Sequence, residues 1–202
     1  MNPMNRNVAP RIVPLSGPLA PRVAERMARL LPRGMAPPQL YLTVAHNEGL
    51  FVDLVDGGIL GPTGLLDRRR IPSALREAVI LRTCVAARCD YEFNLHVQTI
   101  SGRMGLTEAQ IDDLRRPQPD PALWTAAERA ALRLTDGLVQ RLAVDDATWA
   151  EARAAFDDAT LIELTQLVGL YTGVAMLAAL ARPPLDRYRP GPPVLANAHS
   201  QA

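Results

Sequence analysis

Helix start signals, each followed by apolar residues at helical spacing, constrain the fold of this chain more than any other feature. The segments "TEAQ" from Thr107 and "TAAE" from Thr125 are capping boxes. The tetrapeptide "DDAT" occurs from Asp145 and again from Asp157, and each copy places acidic groups where a helix would begin. No convincing series of strands with alternating apolar residues accompanies these signals. The sequence therefore predicts an all-α fold.

Proline and glycine residues divide the chain into the predicted helices. A helix is expected from about Gln39 to Val55, after a pair of prolines, and another opens at Ser73. Gly105 fits the position just beyond the C-terminus of the helix that holds His96. The last long helix should run from about residue 159 to residue 181. From Val168 onward it is apolar nearly all round, so we expect it in the core or in a subunit interface.

These segments divide the chain into three parts. Residues 1–36 form an N-terminal arm and helix, and residues 37–182 form the helical domain. Residues 183–202 are rich in proline, and we expect them to be a loosely ordered tail.

Composition excludes several classes of function. A formal net charge of +1 argues against a nucleic-acid partner, which would require a clustered basic excess. All 22 basic residues are Arg, and the absence of Lys excludes covalent pyridoxal phosphate chemistry. The amino terminus lacks a secretory signal, and the longest apolar segment, residues 167–181, is shorter than the roughly 20 residues that span a bilayer. We expect a soluble, cytoplasmic protein with no membrane partner.

The segment "CDYEFNLH", residues 89–96, concentrates reactive side chains. On a continuous helix, Cys89, Glu92 and His96 lie within about 60° of one another. Glu92 and His96 are four positions apart and can hydrogen-bond directly. The thiol, the carboxylate and the imidazole therefore share one face.

The preceding "RCD" also fits a helix break. Asp90 would then cap a new helix that starts at Tyr91. Cys89 would lie just before that helix, where the helix dipole and Arg88 lower a thiol pKa. Glu77, twelve residues upstream, needs such a break or a wide cleft to join the group.

The same cluster has simpler interpretations. It can be a polar group satisfied against a neighbouring helix. A metal site is disfavoured, because His96 is the only imidazole in the cluster and His46 lies on a distant segment. Cys84 lies about 140° from Cys89 on a continuous helix, which favours a buried small side chain over a resolving thiol.

The run "REAVILRTCVAARCDYEFNLHVQTISGRMGLTEAQI", residues 76–111, resembles the carboxymuconolactone decarboxylase and alkylhydroperoxidase D superfamily. Its peroxidase branch carries a Glu, a CxxC twelve residues later and a His four residues after the second Cys. That register falls on Glu77, Cys89, Glu92 and His96. The resemblance covers about residues 37–185 and implies an alkylhydroperoxidase D-like helical bundle with N-terminal and C-terminal helical extensions.

The sequence departs from the peroxidase motif at its second cysteine, which is Glu92 here. The His often found between the two cysteines is Tyr91. A dithiol peroxidase needs a second thiol to condense with the sulfenic acid formed on the first. The resemblance therefore implies the decarboxylase-like branch, in which protons are transferred without a cofactor.

The candidate catalytic residues are His96, Glu92, Glu77, Cys89 and Tyr91. The pKa of an ordinary His, about 6.5, suits a proton carrier, and Glu92 can orient the imidazole. Glu77 is a candidate second acid or base, and Tyr91 or an arginine would stabilise an enolate.

The candidate substrate-binding residues form a second group. An arginine can hold a substrate carboxylate through its planar fork. The members of this group are Arg82, Arg88, Tyr171 and His46.

Three classes of function remain open at this stage. The first is a cofactor-free lyase or isomerase acting on a small oxo-acid, lactone or carbonyl compound. The second is a thiol-dependent peroxidase using Cys89, and the third is a non-catalytic binding or assembly module. No metal or other cofactor is expected. The family resemblance also implies a homo-oligomer, a trimer or hexamer.

Overall fold

The computed structural model describes residues 9–60 and 70–197. Within these ranges the chain forms nine helices and no strand, which confirms the predicted all-α fold. The helices are α1 (Pro21–Leu30), α2 (Gln39–Val44), α3 (Glu48–Asp56), α4 (Ser73–Ala86), α5 (Asp90–Thr99), α6 (Glu108–Asp113), α7 (Ala126–Arg141), α8 (Asp146–Ala155) and α9 (Asp158–Ala181).

Helix α4 lies at the centre of the bundle, where it packs against α5, α7 and α9. Four consecutive side chains, from Ala78 to Leu81, are completely buried, so this part of the helix meets neighbours on every side. Each large apolar side chain buried in this way contributes about 1.5–3 kcal/mol. A smaller cluster joins α1 to α2 and α3 and is centred on Phe51. The core around α4 therefore provides a rigid base for side chains on α4 and α5.

The predicted break before the reactive segment is present. Helix α4 ends at Ala86, and Arg88 has a left-handed backbone with φ of 56°. Helix α5 begins at Asp90, and its N-cap residue is Cys89, which makes no side-chain cap bond. The prediction that Asp90 caps this helix is wrong, because its Oδ1 instead accepts a hydrogen bond from the backbone N–H of Ala196 at 2.9 Å.

Two other predicted helix boundaries are wrong. The helix expected from Gln39 to Val55 is split, because the side chain of Asn47 accepts a hydrogen bond from the N–H of Leu50 and starts α3. Helix α5 ends at Thr99, so Gly105 is not its C′ residue. Gly105 instead has φ of 100° and ends the turn that follows α5.

The start signals of the last four helices are confirmed. Thr107 and Thr125 form complete capping boxes with Gln110 and Glu128. In each copy of "DDAT" the first Asp is the N-cap residue of a helix. Its side chain accepts a hydrogen bond from the backbone N–H three residues later. These short motifs carry enough local hydrogen bonding to fix where each helix begins.

The tail is not loosely ordered over residues 183–197, contrary to the prediction. Asn94 and Gln98 of α5 donate hydrogen bonds to the carbonyl of Asp186, and Gln98 also accepts one from the N–H of Tyr188 at 2.7 Å. Buried polar side chains on α5 therefore hold the proline-rich segment against the bundle. The remaining boundaries of the three predicted parts stay predictions.

Helix α9 begins one residue before the predicted start at residue 159 and ends at the predicted residue 181. Its 24 residues are long and apolar enough, by length and composition alone, to cross a membrane. In the described part of the chain it packs against α4, α5, α7 and α8, and 33% of its most apolar 18-residue window is buried. Three of its large apolar side chains are nevertheless exposed: Ile162, Met176 and Leu180.

Candidate functional site

Glu77 of α4 and His96 of α5 meet in the core. The Nδ1 atom of His96 lies 2.9 Å from Oε1 and 3.1 Å from Oε2 of Glu77. The break between the two helices makes this contact possible, because it lets α5 turn back onto α4. The structure therefore brings together the two residues that the sequence placed in one register.

Glu92 contacts the other side of the imidazole. Its Oε1 atom lies 3.2 Å from Nε2 of His96, one helical turn away on α5. Glu77 is 1% exposed, whereas Glu92 and His96 are 8% and 9% exposed. The ring thus lies between two carboxylates, of which Glu92 is the more exposed.

The charges of this group are set by their mutual contacts. Burial alone would lower the pKa of His96, but the charges of Glu77 and Glu92 and their hydrogen bonds raise that pKa to about 10. Burial would raise the pKa of Glu77, but His96 and the hydroxyl of Ser101 outweigh it and lower that pKa. At neutral pH the site therefore holds an imidazolium ion beside an ionised Glu77.

Ser101 was missed by the sequence analysis. Its Oγ donates a hydrogen bond of 2.6 Å to Oε1 of Glu77, and the residue is completely buried. It follows the end of α5 and belongs to no motif, so only the folded chain reveals it.

One tyrosine contacts the imidazole, and the pKa of a second is raised in part by the charge of Glu92. The ring of Tyr171 on α9 lies edge-to-face against His96, with centroids 5.4 Å apart. Burial and the charge of Glu92 raise the pKa of Tyr171 well above its usual range, and they act in the same direction on Tyr41 of α2. Both phenols therefore keep their protons and can donate hydrogen bonds. Tyr41 was not among the predicted residues.

The two cysteines are free and buried in the core. Burial raises the pKa of the Cys89 thiol to about 12 and that of Cys84 even further above its usual range. The prediction of a lowered thiol pKa at Cys89 is therefore wrong, because desolvation outweighs the backbone N–H groups of the helix N-terminus. The thiol of Cys89 is protonated at neutral pH, which does not favour a nucleophilic role.

Tyr91 points away from His96. Its hydroxyl donates to Oδ2 of Asp186 and accepts a hydrogen bond of 2.8 Å from the N–H of Leu40. This hydroxyl ties α5 to the tail and to α2. The predicted role of Tyr91 as a stabiliser of an enolate is therefore not supported by its position.

The predicted substrate-binding residues other than Tyr171 lie elsewhere. Arg82 is paired with Asp136, at 2.6 Å for the closer contact, and donates to three backbone carbonyls. Arg88 is exposed and lines a groove together with Arg82, and neither His96 nor Glu92 lines that groove. The exposed His46 contacts the carbonyl of Val13 through Nε2 at 2.8 Å.

No group of three or more His, Cys, Asp or Glu side chains in residues 9–60 and 70–197 has an arrangement that could hold a metal ion. The carboxylates and the imidazole of the site instead form hydrogen bonds with one another. This arrangement can support proton transfer between a substrate and the hydrogen-bonded side chains of Glu92, His96 and Glu77.

Fold and site together define an all-α protein of the alkylhydroperoxidase D-like type, with an imidazole between two carboxylates. Residues 62–137 match the model of the carboxymuconolactone decarboxylase family. This match confirms the predicted resemblance to the superfamily. A comparison with curated protein sequences finds no match.

Two solved structures have a similar fold. The crystal structure of the debrominase Bmp8 in its apo form has a TM-score of 0.67 and 21% identity, over 87% of this chain and 92% of that chain. The second is ATU0492 from Agrobacterium tumefaciens, a protein of unknown function and a candidate antioxidant defence protein AhpD. It has a TM-score of 0.56 and 21% identity, over 60% of this chain and 84% of that chain. At this identity the two likenesses show the fold alone.

Proposed function

We propose that this protein is a cofactor-free acid/base enzyme that moves a proton at a carbon atom next to a carbonyl group. The reaction would be of the lyase or isomerase type, on a small oxo-acid, lactone or related carbonyl compound. The observation that carries the proposal is the imidazole of His96 held between Glu77 at Nδ1 and Glu92 at Nε2. Such a series of groups can store a proton and deliver it in a fixed direction.

The charges support specific roles for the two residues that a substrate can reach. Because His96 has a raised pKa of about 10, it carries both ring protons at neutral pH and can act as an acid. The Glu92 carboxylate, which lies at the more accessible side, is the candidate base. Glu77 is a positioning residue, because it fixes the ring orientation and stabilises the imidazolium from the buried side.

The proton steps balance without an added redox partner. In the isomerisation of a β,γ-unsaturated carbonyl compound, Glu92 takes a proton from the α-carbon and His96 gives one to the carbonyl oxygen, which forms a dienol. The protonated Glu92 then returns its proton to the γ-carbon, and the hydroxyl returns its proton to His96 as the carbonyl group re-forms. In a decarboxylation, the bond to the carboxyl carbon breaks, its electron pair passes into an enolate, and CO₂ leaves. His96 then protonates the carbon through Nε2, and solvent returns the proton to the imidazole.

Deuterium exchange tests this proposal without requiring the physiological substrate. Pyruvate, acetoacetate and γ-butyrolactone are incubated with the protein in D₂O, and NMR follows deuterium uptake at the α-carbon and release of CO₂. We expect catalysis by the wild type and a loss of at least about a hundredfold in His96→Gln and Glu92→Gln.

Glu151→Gln is the matched control, because it removes a carboxylate from the surface of α8. We expect this variant to match the wild type. The proposal is overturned if the wild type accelerates exchange or decarboxylation of none of the three compounds beyond His96→Gln.

A further inference from the structure

Arg76, next to Glu77 on α4, is a partly buried cation that the predicted site did not include. Its Nε atom is buried and has no hydrogen-bond partner among the described residues. Arg82, two turns further along the same helix, differs because its guanidinium is saturated by Asp136 and by backbone carbonyls. The two arginines therefore have different tasks: Arg82 holds the fold together, whereas Arg76 has a free donor.

Arg76 directly precedes Glu77 on α4, and the Glu77 carboxylate contacts the ring of His96. The positive charge of Arg76 favours the ionised form of Glu77 and lowers the pKa of that carboxyl, and it acts in the same direction on the pKa of Tyr171. Tyr171 in turn contacts the ring of His96 edge-to-face. Glu92 contacts that ring at Nε2. Beside the acid/base pair of His96 and Glu92, α4 thus carries a cation, Arg76, next to Glu77.

A buried N–H group without a partner is destabilising, and such groups are rare in folded proteins. A guanidinium also carries its donors in a planar fork that fits the two oxygens of a carboxylate. A bound carboxylate would satisfy the Nε of Arg76 in a bidentate contact. The hydroxyl of Tyr171 keeps its proton, because burial raises its pKa well above the usual range, and is a candidate second donor.

We propose that Arg76 binds the carboxylate of an anionic carbonyl substrate, with Tyr171 as the second hydrogen-bond donor. The inference rests on the proposed function and narrows its substrate class. The substrate is a small carbonyl compound whose carboxylate stays bound at Arg76 while Glu92 and His96 act on the carbon next to the carbonyl group. Arg76 is thus a specificity-determining residue.

Binding of matched carboxylate and amide probes tests the proposal. The pairs are acetate with acetamide, pyruvate with pyruvamide, and benzoate with benzamide, and ligand-observed NMR gives their dissociation constants. For at least one pair we expect the carboxylate to bind the wild type more tightly than the amide. We expect Arg76→Gln to weaken that carboxylate by about tenfold or more and to leave the amide unchanged.

Two variants guard against a trivial loss of folding. Arg76→Lys keeps the charge without the fork, so we expect an intermediate affinity for the carboxylate. Arg70→Gln removes an exposed arginine just before the same helix and should bind every probe like the wild type. The proposal is overturned if no carboxylate is preferred over its amide, or if Arg76→Gln and Arg76→Lys both bind the preferred carboxylate as tightly as the wild type does.

His96→Gln separates this inference from the proposed function. It should lose deuterium exchange but keep the preference for carboxylates, because Arg76 is intact. If carboxylate binding depends on Arg76 but the wild type catalyses no exchange, the proposed function is wrong and the anion site at Arg76 is supported. If exchange depends on His96 but Arg76→Gln does not affect probe binding, the proposed function is supported and only the anion site at Arg76 is wrong.

Discussion

Glu77 accepts a hydrogen bond at Oε1 from Nδ1 of His96, 2.9 Å away, although the two residues are 19 positions apart in the chain. The same oxygen accepts a second hydrogen bond from Ser101. This buried carboxylate therefore fixes the orientation of the imidazole. It also leaves Nε2 as the ring nitrogen directed at Glu92.

Replacing Glu77 by Gln should lower the pKa of His96. Without the carboxylate, burial of the ring is opposed only by Glu92, so the pKa falls from about 10 toward or below the ordinary value of about 6.5. The His96 resonances followed by NMR over pH 5 to 11 would measure this. Glu151→Gln should leave the titration unchanged, and an equally high pKa in Glu77→Gln would contradict the role of Glu77.

Stability should fall as pH rises above neutrality. The pKa of His96 is about 10 in the folded chain and about 6.5 in the unfolded chain, so its contribution is fully present below about pH 6.5 and is lost as pH rises through 10. Between these values the free energy of unfolding decreases by up to about 1.4 kcal/mol per pH unit. Urea unfolding at pH 7.0 and 8.5 measures the slope. His96→Gln should flatten it, and identical slopes in both proteins would contradict the linkage.

Cys89 should react slowly with peroxide at neutral pH. Its thiol is buried and its pKa is raised to about 12, so very little thiolate is present. Intact-mass analysis after brief treatment with hydrogen peroxide should show no added oxygen in the wild type or in Cys89→Ser. Rapid oxidation that Cys89→Ser abolishes would instead support the thiol-dependent peroxidase.

Tyr91→Phe should destabilise the fold without changing the proton chemistry. Removing the hydroxyl breaks the contact with Asp186 and leaves the N–H of Leu40 unsatisfied, at a cost of about 1–3 kcal/mol. Denaturant unfolding measures this loss, and a double-mutant cycle with Asp186→Asn should show that the two substitutions are not additive. A shifted pKa of His96 in Tyr91→Phe would place Tyr91 in the site after all.

A homo-oligomer remains a prediction, and the exposed face of α9 is where we propose that the copies meet. Met176 and Leu180 are 69% and 57% exposed, which is unusual for large apolar side chains on one helix. Met176→Arg and Leu180→Arg should each reduce the mass measured by light scattering. Trp149→Arg, at another exposed apolar position on α8, is the control. A monomeric wild type would rule out this assembly.

Three residues of the site were predictable from the sequence, because their spacing matches the motif of the superfamily. Glu77, Glu92 and His96 lie together because the spacing in the sequence matches a helix, a break and a second helix. Arg76 and Ser101 could not be predicted in the same way. Their roles depend on which side chains already have partners, and this becomes visible only when the helices are packed.

The errors also have physical reasons. A helix N-terminus lowers a thiol pKa in water, but Cys89 lies in the core, where desolvation has the opposite and larger effect. Prolines in the tail indicated loose order because they cannot form helices. Their neighbours are instead ordered by the amides of Asn94 and Gln98, which are too distant in the chain for any local pattern to show.

The side chains of Asp90, Asn94 and Gln98 form a row along α5, because the three residues are spaced four positions apart. Each side chain accepts a hydrogen bond from a backbone N–H of the tail. These three side chains therefore fix the path of the tail along α5. A protein shortened at residue 182 would expose this row to water. It would also lose the carboxylate of Asp186, which accepts a hydrogen bond from the N–H of Gln39 at the N-terminus of α2. A synthetic peptide spanning residues 183–197, added in trans, should therefore bind to the shortened protein and restore its lost thermal stability.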